Sequence, residues 1–449
     1  MTFSALDSVL TGPLLATAVM RDCFADTRRL QAMLAVEAAL ARVQAGLGLV
    51  PDGLADAIDA VVLDAEAIGR QTVLAGVPAI PFVQQVQAQL PPALERGFHK
   101  GATTQDILDT ALVLQLRDAL SLVAADLLGV MDGLSALAQR HRATPCVGRT
   151  YGQHAAPVTF GFKAAVWLMG VAEVAALLPG LRRRVLAVSL AGPVGTLASL
   201  GPHGPAVADG VAAALGLAPV PIAWHARRGP VAELGCWIAQ AIGALAKVAT
   251  DVAHLASTEV GEAAEPYVPG RGGSSAMPHK RNPVSCTVIL AAHAAAPGHA
   301  ASLLAGMAAA HERPAGPWHA EWHAVPTLFG LLSGALREGR ALAEGLEVDP
   351  ARMRRNLDMT QGLLFADAAS ARLSTTLGRD AAHRLVERAA GEARRGAMPL
   401  SAVLARDPAA AGVDLAPAFD LAPAIAAAGP WVDRAVLAAT RVRTLLEEG

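Results

Sequence analysis

The stretch VAELGCWIAQAIGALAKVATDVAHLAS, residues 231–257, decides the fold class of the chain. Its apolar side chains recur every three or four residues, which is the period of an α-helix. Glu233, Gln240, Lys247 and His254 repeat every seven residues and form its one narrow polar stripe. A helix with so little polar surface is predicted to be buried on most sides. We interpret the stripe as structural rather than catalytic.

Similar periodicity covers residues 106–140, 159–178, 284–310 and 327–346, and convincing alternating strands are absent. Hydrophobic residues make up 53% of the chain but aromatic residues only 4%, so the core is built mainly from Ala, Leu and Val. That composition favours helices. The predicted fold class is all-α, with a central bundle of long helices. Because these helices need more apolar neighbours than one chain offers, we expect an oligomer.

Two breaks divide the predicted helices, one at the paired prolines 91–92 and one at residues 347–350. A stretch rich in Pro and Ala, 404–430, predicts short helices and loops rather than another bundle helix. The resulting parts are an N-terminal helical domain, 1–105, a central long-helix bundle, 106–346, and a C-terminal helical domain, 347–449.

The charge balance and the cysteines exclude several classes of function. With 37 Lys and Arg against 39 Asp and Glu, the formal net charge is −2, which gives no electrostatic reason to expect nucleic-acid binding. The four cysteines have neither Cys-x-x-Cys nor metal-ligand spacing, so we predict reduced thiols and no metal site. The start MTFSALDSVLTGP lacks a basic segment and contains Asp7, so we expect a cytoplasmic protein.

No Asp, Glu, Lys or Arg occurs between Arg281 and Glu312, a length that could span a membrane. The segment is dominated by Ala and contains the Pro297-Gly298 pair, which argues against a span. We therefore predict a fully buried bundle helix there and no membrane association.

The segment GRGGSSAMPHKRNP, 270–283, is the densest candidate for chemistry. Gly and Ser give it mobility, while His279, Lys280 and Arg281 supply positive charge. These two properties predict a mobile lid over an anionic ligand. From composition alone, a flexible solvated connector between two helices fits about equally well.

Within this segment, GSSAMPHKRNP closely resembles the signature loop of the aspartase/fumarase superfamily, whose members break or form bonds beta to a carboxylate. Residues 98–118, FHKGATTQDILDTALVLQLRD, and 148–165, GRTYGQHAAPVTFGFKAA, resemble the two other shared regions of that superfamily and lie in the expected order. The resemblance implies an enzyme without a cofactor. It also implies a homotetramer in which the three regions come from different subunits and meet at one site.

Departures from the superfamily pattern indicate the branch. Adenylosuccinate lyases usually carry a catalytic His directly after the Thr of the second region, where this chain has Tyr151. They carry another His upstream, where GVPAIPF, 76–82, has none, and HERPAGPWHAEW, 311–322, lacks their Ser-rich phosphate-binding stretch. The chain instead looks like the lactonising branch. That resemblance implies closure of 3-carboxy-cis,cis-muconate, a tricarboxylate from protocatechuate breakdown, to 4-carboxymuconolactone.

The resemblance also implies roles for individual residues. Lys280 and Asn282 are expected to hold the carboxylate that gains negative charge, while Thr103, Thr104 and Gln153 donate hydrogen bonds to the other carboxylates.

By position, Ser274 transfers the proton, with Ser275 as its neighbour and backbone donor and as the alternative for the transfer. A free serine is a poor acid or base, so its alkoxide needs nearby amides and a cation such as Lys280. His154 is either a positioning residue or an acid/base, because its imidazole can titrate near neutrality.

Other residues have open assignments. His99 lines the pocket, caps a helix or has a structural role between subunits. Arg313 binds a carboxylate or forms an ion pair with neighbouring acids. We place Tyr151 among the substrate-binding residues. We expect the Trp318–His323 cluster to be a pocket wall or bundle contact rather than a metal site.

Two alternatives to the lactonising enzyme remain at this point. A fumarate-releasing lyase would keep the fold, but the two missing histidines argue against it. A catalytically silent structural or binding protein is the other alternative, but the loop, the Thr pair and Gln153 are all intact, which argues against it. Ligand-dependent stabilisation without turnover would identify such a protein.

Overall fold

The computed structural model describes residues 3–448, and these form an almost entirely helical protein. The N-terminal part contains the helices α1 Gly12–Leu15, α2 Ala18–Cys23, α3 Asp26–Gly46, α4 Leu54–Asp59, α5 Ala65–Ala75, α6 Ala79–Gln87 and α7 Pro92–Glu95. Of these, α3 packs along the central helices, and its buried face carries Met33, Val36 and Leu40.

The centre of the molecule is a bundle of long helices. Its elements are α8 Thr104–Arg140, β1 Pro145–Thr150, β2 Gln153–Thr159, α9 Phe160–Val185, α10 Gly204–Leu215, α11 Gly229–Leu255, β3 Ala263–Ala264, α12 Val284–Ala305, α13 Pro317–Gly345 and β4 Glu347–Val348. In this bundle α8 packs against α9 and α13, and α11 packs against α12 and α13. The all-α fold predicted from the 231–257 pattern is confirmed.

The C-terminal part forms a second, smaller core. Its helices are α14 Pro350–Asp358, α15 Ala366–Leu377, α16 Arg379–Gly396, α17 Leu400–Leu404 and α18 Ala422–Glu448. Buried residues from α15 to α17 pack together, whereas Val432, Ala435 and Ala439 of α18 join the core of the central bundle. The prediction of short helices and loops up to residue 430 is wrong for its last part, because α18 begins at Ala422 and continues through Pro430. The division at residues 105 and 346 stays a prediction.

The expectation of no strands is wrong, most clearly between α8 and α9. Strands β1 and β2 form an antiparallel hairpin whose register pairs Pro145 with Thr159 and Thr150 with Gln153. Its two-residue turn, Tyr151-Gly152, has positive φ at both positions, 51° and 77°, as hairpin turns of the mirror-image types require. The hairpin ends at Thr159, whose side chain accepts a hydrogen bond from the Phe162 N–H and caps α9.

Helix α12 is less buried than predicted. Eight of its 22 residues are buried in the single chain, so the expectation of a fully buried helix is wrong at this level. Four of the described helices, α8, α9, α11 and α12, are long and apolar enough to cross a membrane by length and composition alone. They pack against other helices of the bundle, which is the ordinary environment of a core helix.

The buried thiols give a test of this packing. Burial raises the pKa of Cys146 to about 12, and burial together with a hydrogen bond involving Glu265 raises the pKa of Cys286. At pH 8 the thiolate fraction of Cys146 falls about a thousandfold relative to a free cysteine. We expect both thiols to resist a disulfide reagent in the native protein and to react at once in guanidinium. Rapid native labelling at Cys146, located by mass spectrometry, would contradict this packing.

Candidate active site

The first group of predicted site residues lies at the N-terminus of α8. Arg313, from the segment before α13, donates from Nη1 to Oγ1 of Thr103 (2.8 Å) and from Nη2 to Oγ1 of Thr104 (2.9 Å). The fold thus brings Arg313 to the adjacent Thr103 and Thr104, which lie about two hundred positions earlier in the chain. Within residues 3–448 Arg313 has no carboxylate partner, so the ion pair considered as its alternative role is not found.

A buried carboxylate that the sequence analysis missed fixes this turn. Asp106 is fully buried and accepts hydrogen bonds from the backbone N–H groups of Thr103, Ala191 and Gly192, each at 2.9 Å. His225 Nε2 lies 2.7 Å from the same carboxylate. The spacing of Thr103 and Asp106 is that of a capping box, which is a local sequence signal. The other partners of Asp106 are remote in sequence, and no pattern around them indicates that they contact it.

His99 lies beside this group in a left-handed conformation, with φ of 56°. Its Nδ1 is 2.5 Å from Oε1 of the buried Glu37. Burial by itself lowers the pKa of His99, but the hydrogen bond and the charge of Glu37 outweigh it, and the net pKa is raised. The contact connects the first shared region to α3, which favours a structural role for His99 over pocket lining.

Replacing His99 by glutamine is expected to lower stability in a pH-dependent way. Since the folded-state pKa is raised above the ordinary value of about 6.5, the His99–Glu37 contact stabilises fully below that pH. This contribution disappears as the pH rises through the folded-state pKa. We expect a loss of about 1.5 kcal/mol at pH 6 and almost none at pH 9, measured by urea unfolding. A constant loss at both pH values would contradict the charged contact; the exposed His203→Gln serves as control.

The loop 270–283 is closed at its neck. The N–H of Asn282 donates to the carbonyl of Gly272 at 2.8 Å. Gly272 has φ of 67°, and a Cβ there would lie 2.5 Å from the Asn282 carbonyl oxygen, so only glycine fits. On one side, Arg271 pairs with the buried Glu338 and donates to Ser285 Oγ. The neck of the loop, residues 271–272 and 282–283, is therefore fixed by the bundle. Its tip, residues 274–280, is mostly exposed.

The basic residues of the loop are not equivalent. Arg281 donates to both carboxylate oxygens of Glu347, at 3.0 and 3.2 Å, and to the carbonyl of Glu265. Lys280 is exposed and forms no ion pair within the described part of the chain. The interpretation of all the loop's basic residues as anion-binding is therefore too broad: the charge of Arg281 is already neutralised, and that of Lys280 is available.

At the tip of the loop, Oγ of Ser274 accepts a hydrogen bond from the N–H of Met277 at 3.2 Å. The N–H of Lys280 donates to the Met277 carbonyl at 3.0 Å, which folds the tip into a compact turn. Ser274 is half-buried, whereas Ser275 is exposed. A cavity of about 500 Å³ opens beside the tip, with Lys280 and Asn282 in its wall.

The third group lies on the β1–β2 hairpin. Tyr151, at the turn, has a fully exposed side chain, and Gln153 beside it is also exposed. His154 is half-buried, and its Nδ1 is buried without a hydrogen-bond partner among the described residues. Burial, followed by the charge of Arg149, lowers the pKa of His154, and the more distant effect of Glu262 only partly offsets this. The imidazole is therefore neutral near pH 7.

Because Glu262 and Glu265 precede the loop in the sequence, they are expected to position its basic residues, but their carboxylates have other partners. Glu262 is fully buried and pairs with both terminal nitrogens of Arg149, at 2.9 and 2.6 Å, so it positions the hairpin rather than the loop. The carboxylate of Glu265 accepts from the N–H groups of Ser285 and Cys286 and caps α12. The prediction that both glutamates position the loop's basic residues is therefore wrong, because neither carboxylate pairs with a basic residue of the loop.

The Trp318–His323 cluster forms bundle contacts. Trp318 donates from Nε1 to Asp109 at 2.9 Å, and Glu321 pairs with Arg228. Residues 3–448 contain no group of three or more His, Cys, Asp or Glu side chains arranged to hold a metal ion.

The three groups do not meet in one chain. No hydrogen bond or ion pair between described residues joins the loop tip, the hairpin tip and the N-terminus of α8. The loop tip and the hairpin tip are exposed, whereas Thr103 is buried and Thr104 and Arg313 are half-buried. Together the three groups carry hydroxyls, amides and cations, which are suited to carboxylates. An all-helical bundle carrying these three groups is an enzyme scaffold of the aspartase/fumarase kind.

Comparison with known proteins agrees with that class. A family model described as lyase matches residues 16–298. The chain is 45% identical to a 3-carboxy-cis,cis-muconate cycloisomerase of Pseudomonas putida, covering 91% of this chain and 97% of the relative. It is 41% identical to a nitrosuccinate lyase of Streptomyces davaonensis, covering 96% and 95%. The crystal structure of the 3-carboxy-cis,cis-muconate lactonizing enzyme from Pseudomonas putida superposes with a TM-score of 0.92 at 43% identity, covering 97% of this chain and all of that one.

The chain therefore belongs to this lyase family, the aspartase/fumarase superfamily. The resemblance stated from the three sequence regions is confirmed.

Proposed function

We propose that this protein is a cofactor-free cycloisomerase that closes 3-carboxy-cis,cis-muconate to 4-carboxymuconolactone, a step of protocatechuate breakdown through the beta-ketoadipate pathway. The observation that carries the proposal is the 45% identity to the Pseudomonas putida cycloisomerase over nearly the whole of both chains. Tyr151 in place of the lyase histidine supports it, because lactonisation releases no leaving group that must be protonated.

The reaction is an isomerisation, and all atoms stay in the product. An oxygen of one substrate carboxylate adds to the internal double bond and forms the C–O bond of the lactone. The electron pair of the double bond moves to the carbon next to another carboxylate, which then takes on aci-carboxylate character. A proton delivered to that carbon completes the product. The difficult species is the doubly charged carboxylate, which is stabilised by preorganised donors and cations.

Two groups of side chains supply this stabilisation in the proposed mechanism. Lys280 and Asn282 hold the carboxylate that gains charge, and the unpaired ammonium of Lys280 is the cation for it. Thr103 and Thr104, with Arg313 donating to their hydroxyl oxygens, hold a second carboxylate at the N-terminus of α8. Gln153 donates to the remaining carboxylate from the hairpin.

Ser274 is the proposed proton donor. The hydrogen bond from the Met277 N–H already points at its Oγ, the atom that becomes an alkoxide, and this favours Ser274 over Ser275. Neutral His154 on the hairpin positions the substrate or, in an acid/base role, passes a proton from solvent to the Ser274 alkoxide. Tyr151 covers the pocket, and His99 fixes the first region from behind.

We propose that the enzyme is a soluble, cytoplasmic homotetramer whose sites combine loop, hairpin and α8 from different subunits. The exposed face of α12, which is mostly apolar, supports this arrangement because an extended apolar surface is unfavourable in water. Light scattering should give four times the mass of the 45.9 kDa chain.

A complementation experiment tests the shared site. Ser274→Ala and Gln153→Ala enzymes, each inactive alone, are expected to recover up to about a quarter of wild-type activity when unfolded together and refolded, because mixed tetramers contain sites with neither lesion. A monomer, or no recovery in proven mixed tetramers, would contradict the arrangement.

The test of the proposed reaction uses the ultraviolet absorbance of the substrate diene. Folded enzyme at micromolar concentration should abolish the absorbance of 3-carboxy-cis,cis-muconate within minutes, and a panel of other muconates defines substrate choice. No decay with folded protein would count against the proposal.

The second candidate is an elimination from a substituted succinate. The 41% identity to a nitrosuccinate lyase over 96% of this chain is the observation that favours it. Nitrosuccinate and adenylosuccinate are therefore included in the panel. Release of an unsaturated dicarboxylate from either, without muconate turnover, would replace the cycloisomerase proposal, and ligand binding without turnover of any substrate would indicate a silent homologue.

A further inference from the structure

The three residues Asp109, Arg228 and Glu321 form an ion network in the middle of the bundle. Arg228 donates from Nη1 and Nη2 to the two oxygens of Asp109, at 2.8 and 3.1 Å, and from Nε to Glu321 at 2.8 Å. All three side chains are at most 3% exposed. We call this set the buried triad.

Stability does not explain the buried triad. Removing three charges from water costs more than packing apolar side chains of the same size, and such replacements often leave proteins equally stable or more stable. Burial raises the pKa of Glu321, and Asp109 adds to this against the opposing effect of Arg228. The burial of these three charges is therefore weak evidence for a purely stabilising role.

The position of the buried triad indicates a different role. Asp109 lies in the second turn of α8, Arg228 immediately precedes α11, and Glu321 lies in the second turn of α13. The N-terminal ends of three long helices therefore converge on it. Trp318 of α13 donates to Asp109 at 2.9 Å, and Gln105 of α8 donates to the same carboxylate at 3.1 Å.

Two of these helix starts also present the proposed carboxylate-binding groups. Thr103 and Thr104 lie at the start of α8, and Arg313 lies four residues before the start of α13. No backbone hydrogen bond of the described chain holds residues 308–315 to another segment; Arg313 reaches the threonines through its side chain alone. The distance between α8 and α13 at the triad therefore determines where that guanidinium lies.

The charges also balance without Arg313. Two carboxylates and one guanidinium leave the buried triad with a net charge of −1. Each helix N-terminus contributes roughly half a positive charge. The N-terminus of α8 is already capped by Asp106, so those of α11 and α13 remain for the triad. The acids of the triad are thus matched by Arg228 and the helix ends, and the charge of Arg313 stays available for a substrate carboxylate.

We infer that Asp109, Arg228 and Glu321 are positioning residues that set the distance between Arg313 and the Thr103–Thr104 pair, and thereby determine affinity for a substrate carboxylate. This inference rests on the proposed carboxylate-binding role of these residues. It assigns the triad no contact with substrate.

The test is a double-mutant cycle between the triad and Arg313. Glu321→Gln keeps the size of the side chain and removes its charge, and we expect KM to rise about tenfold while kcat changes less than twofold. In an Arg313→Met background the same substitution should change KM less than twofold, because the residue through which it acts is gone. Glu344→Gln, an exposed glutamate of α13 that pairs with Arg340, is the matched control and should leave both constants unchanged.

A merely structural role predicts different numbers. With a merely structural role, Glu321→Gln would lower kcat together with the melting temperature, and its effect on KM would multiply with that of Arg313→Met. Either result overturns the inference. An unchanged KM of Glu321→Gln also overturns it. If Glu321→Gln fails to fold, Trp318→Phe, which removes one hydrogen bond to Asp109, replaces it in the same cycle.

Calorimetric binding of tricarballylate, an unreactive tricarboxylate, separates the two proposals. If wild type binds it but converts no muconate, the proposed reaction fails and the cycle is completed with dissociation constants. If wild type binds it and the effects of Glu321→Gln and Arg313→Met on affinity multiply, the positioning inference fails while the proposed reaction is unaffected. Absence of binding by wild type overturns the inference.

Discussion

Replacing Ser274 by alanine is expected to lower kcat about 10³-fold with KM changed less than threefold. The proposed role is proton delivery, for which a positioned side chain contributes about 10²- to 10⁴-fold. The Met277 N–H on its Oγ is arranged to stabilise the alkoxide, and alanine leaves this N–H without a partner. The diene absorbance, followed at saturating substrate, gives both constants.

Ser275→Ala is the matched control because it removes the neighbouring, exposed hydroxyl from the same loop. We expect a decrease of less than tenfold. Near-normal turnover of Ser274→Ala would overturn the assignment, and a large loss confined to Ser275→Ala would transfer the role to that residue.

Replacing Lys280 by methionine is expected to lower kcat by about 10²- to 10³-fold, the effect seen when one preorganised charge-stabilising group is removed. Lys280 forms no ion pair among the described residues, so the substitution leaves no carboxylate of the chain without its partner. The loss should appear mainly in kcat, because the charge on the bound carboxylate increases between ground state and transition state.

Lys247→Met is the control for removing an exposed ammonium, since Lys247 pairs with Asp251 on α11, away from the loop. Its kcat should stay within twofold of wild type. A Lys280→Met enzyme that loses only affinity, with kcat intact, would contradict the role of Lys280 in stabilising the intermediate.

The sequence predicts the bundle well because helical periodicity is a local signal. The pattern at 231–257 corresponds to α11, Gly229–Leu255, within two residues at each end. Boundaries were less predictable where prolines occur inside helices: α13 begins at Pro317, ten residues before the predicted start, and continues through Pro326. The motif loop and the Thr pair were recognisable because their residues are contiguous.

Contacts between distant segments could not be predicted in this way. Nothing near Arg281 indicates Glu347 as its partner, and nothing near Asp106 indicates His225. The hairpin was missed because its paired segments are short and include a proline in each strand, Pro145 and Pro157, so alternation is weak. The Tyr151-Gly152 pair was the one available turn signal.

The most direct test of the central claim is the proton nuclear magnetic resonance spectrum of the product formed from 3-carboxy-cis,cis-muconate in deuterated water. We expect one product, 4-carboxymuconolactone, with a single deuterium on the carbon next to a carboxylate and all substrate carbons retained. Unchanged substrate in the presence of folded enzyme, or a product that has lost part of the substrate's carbon skeleton, would contradict the central claim.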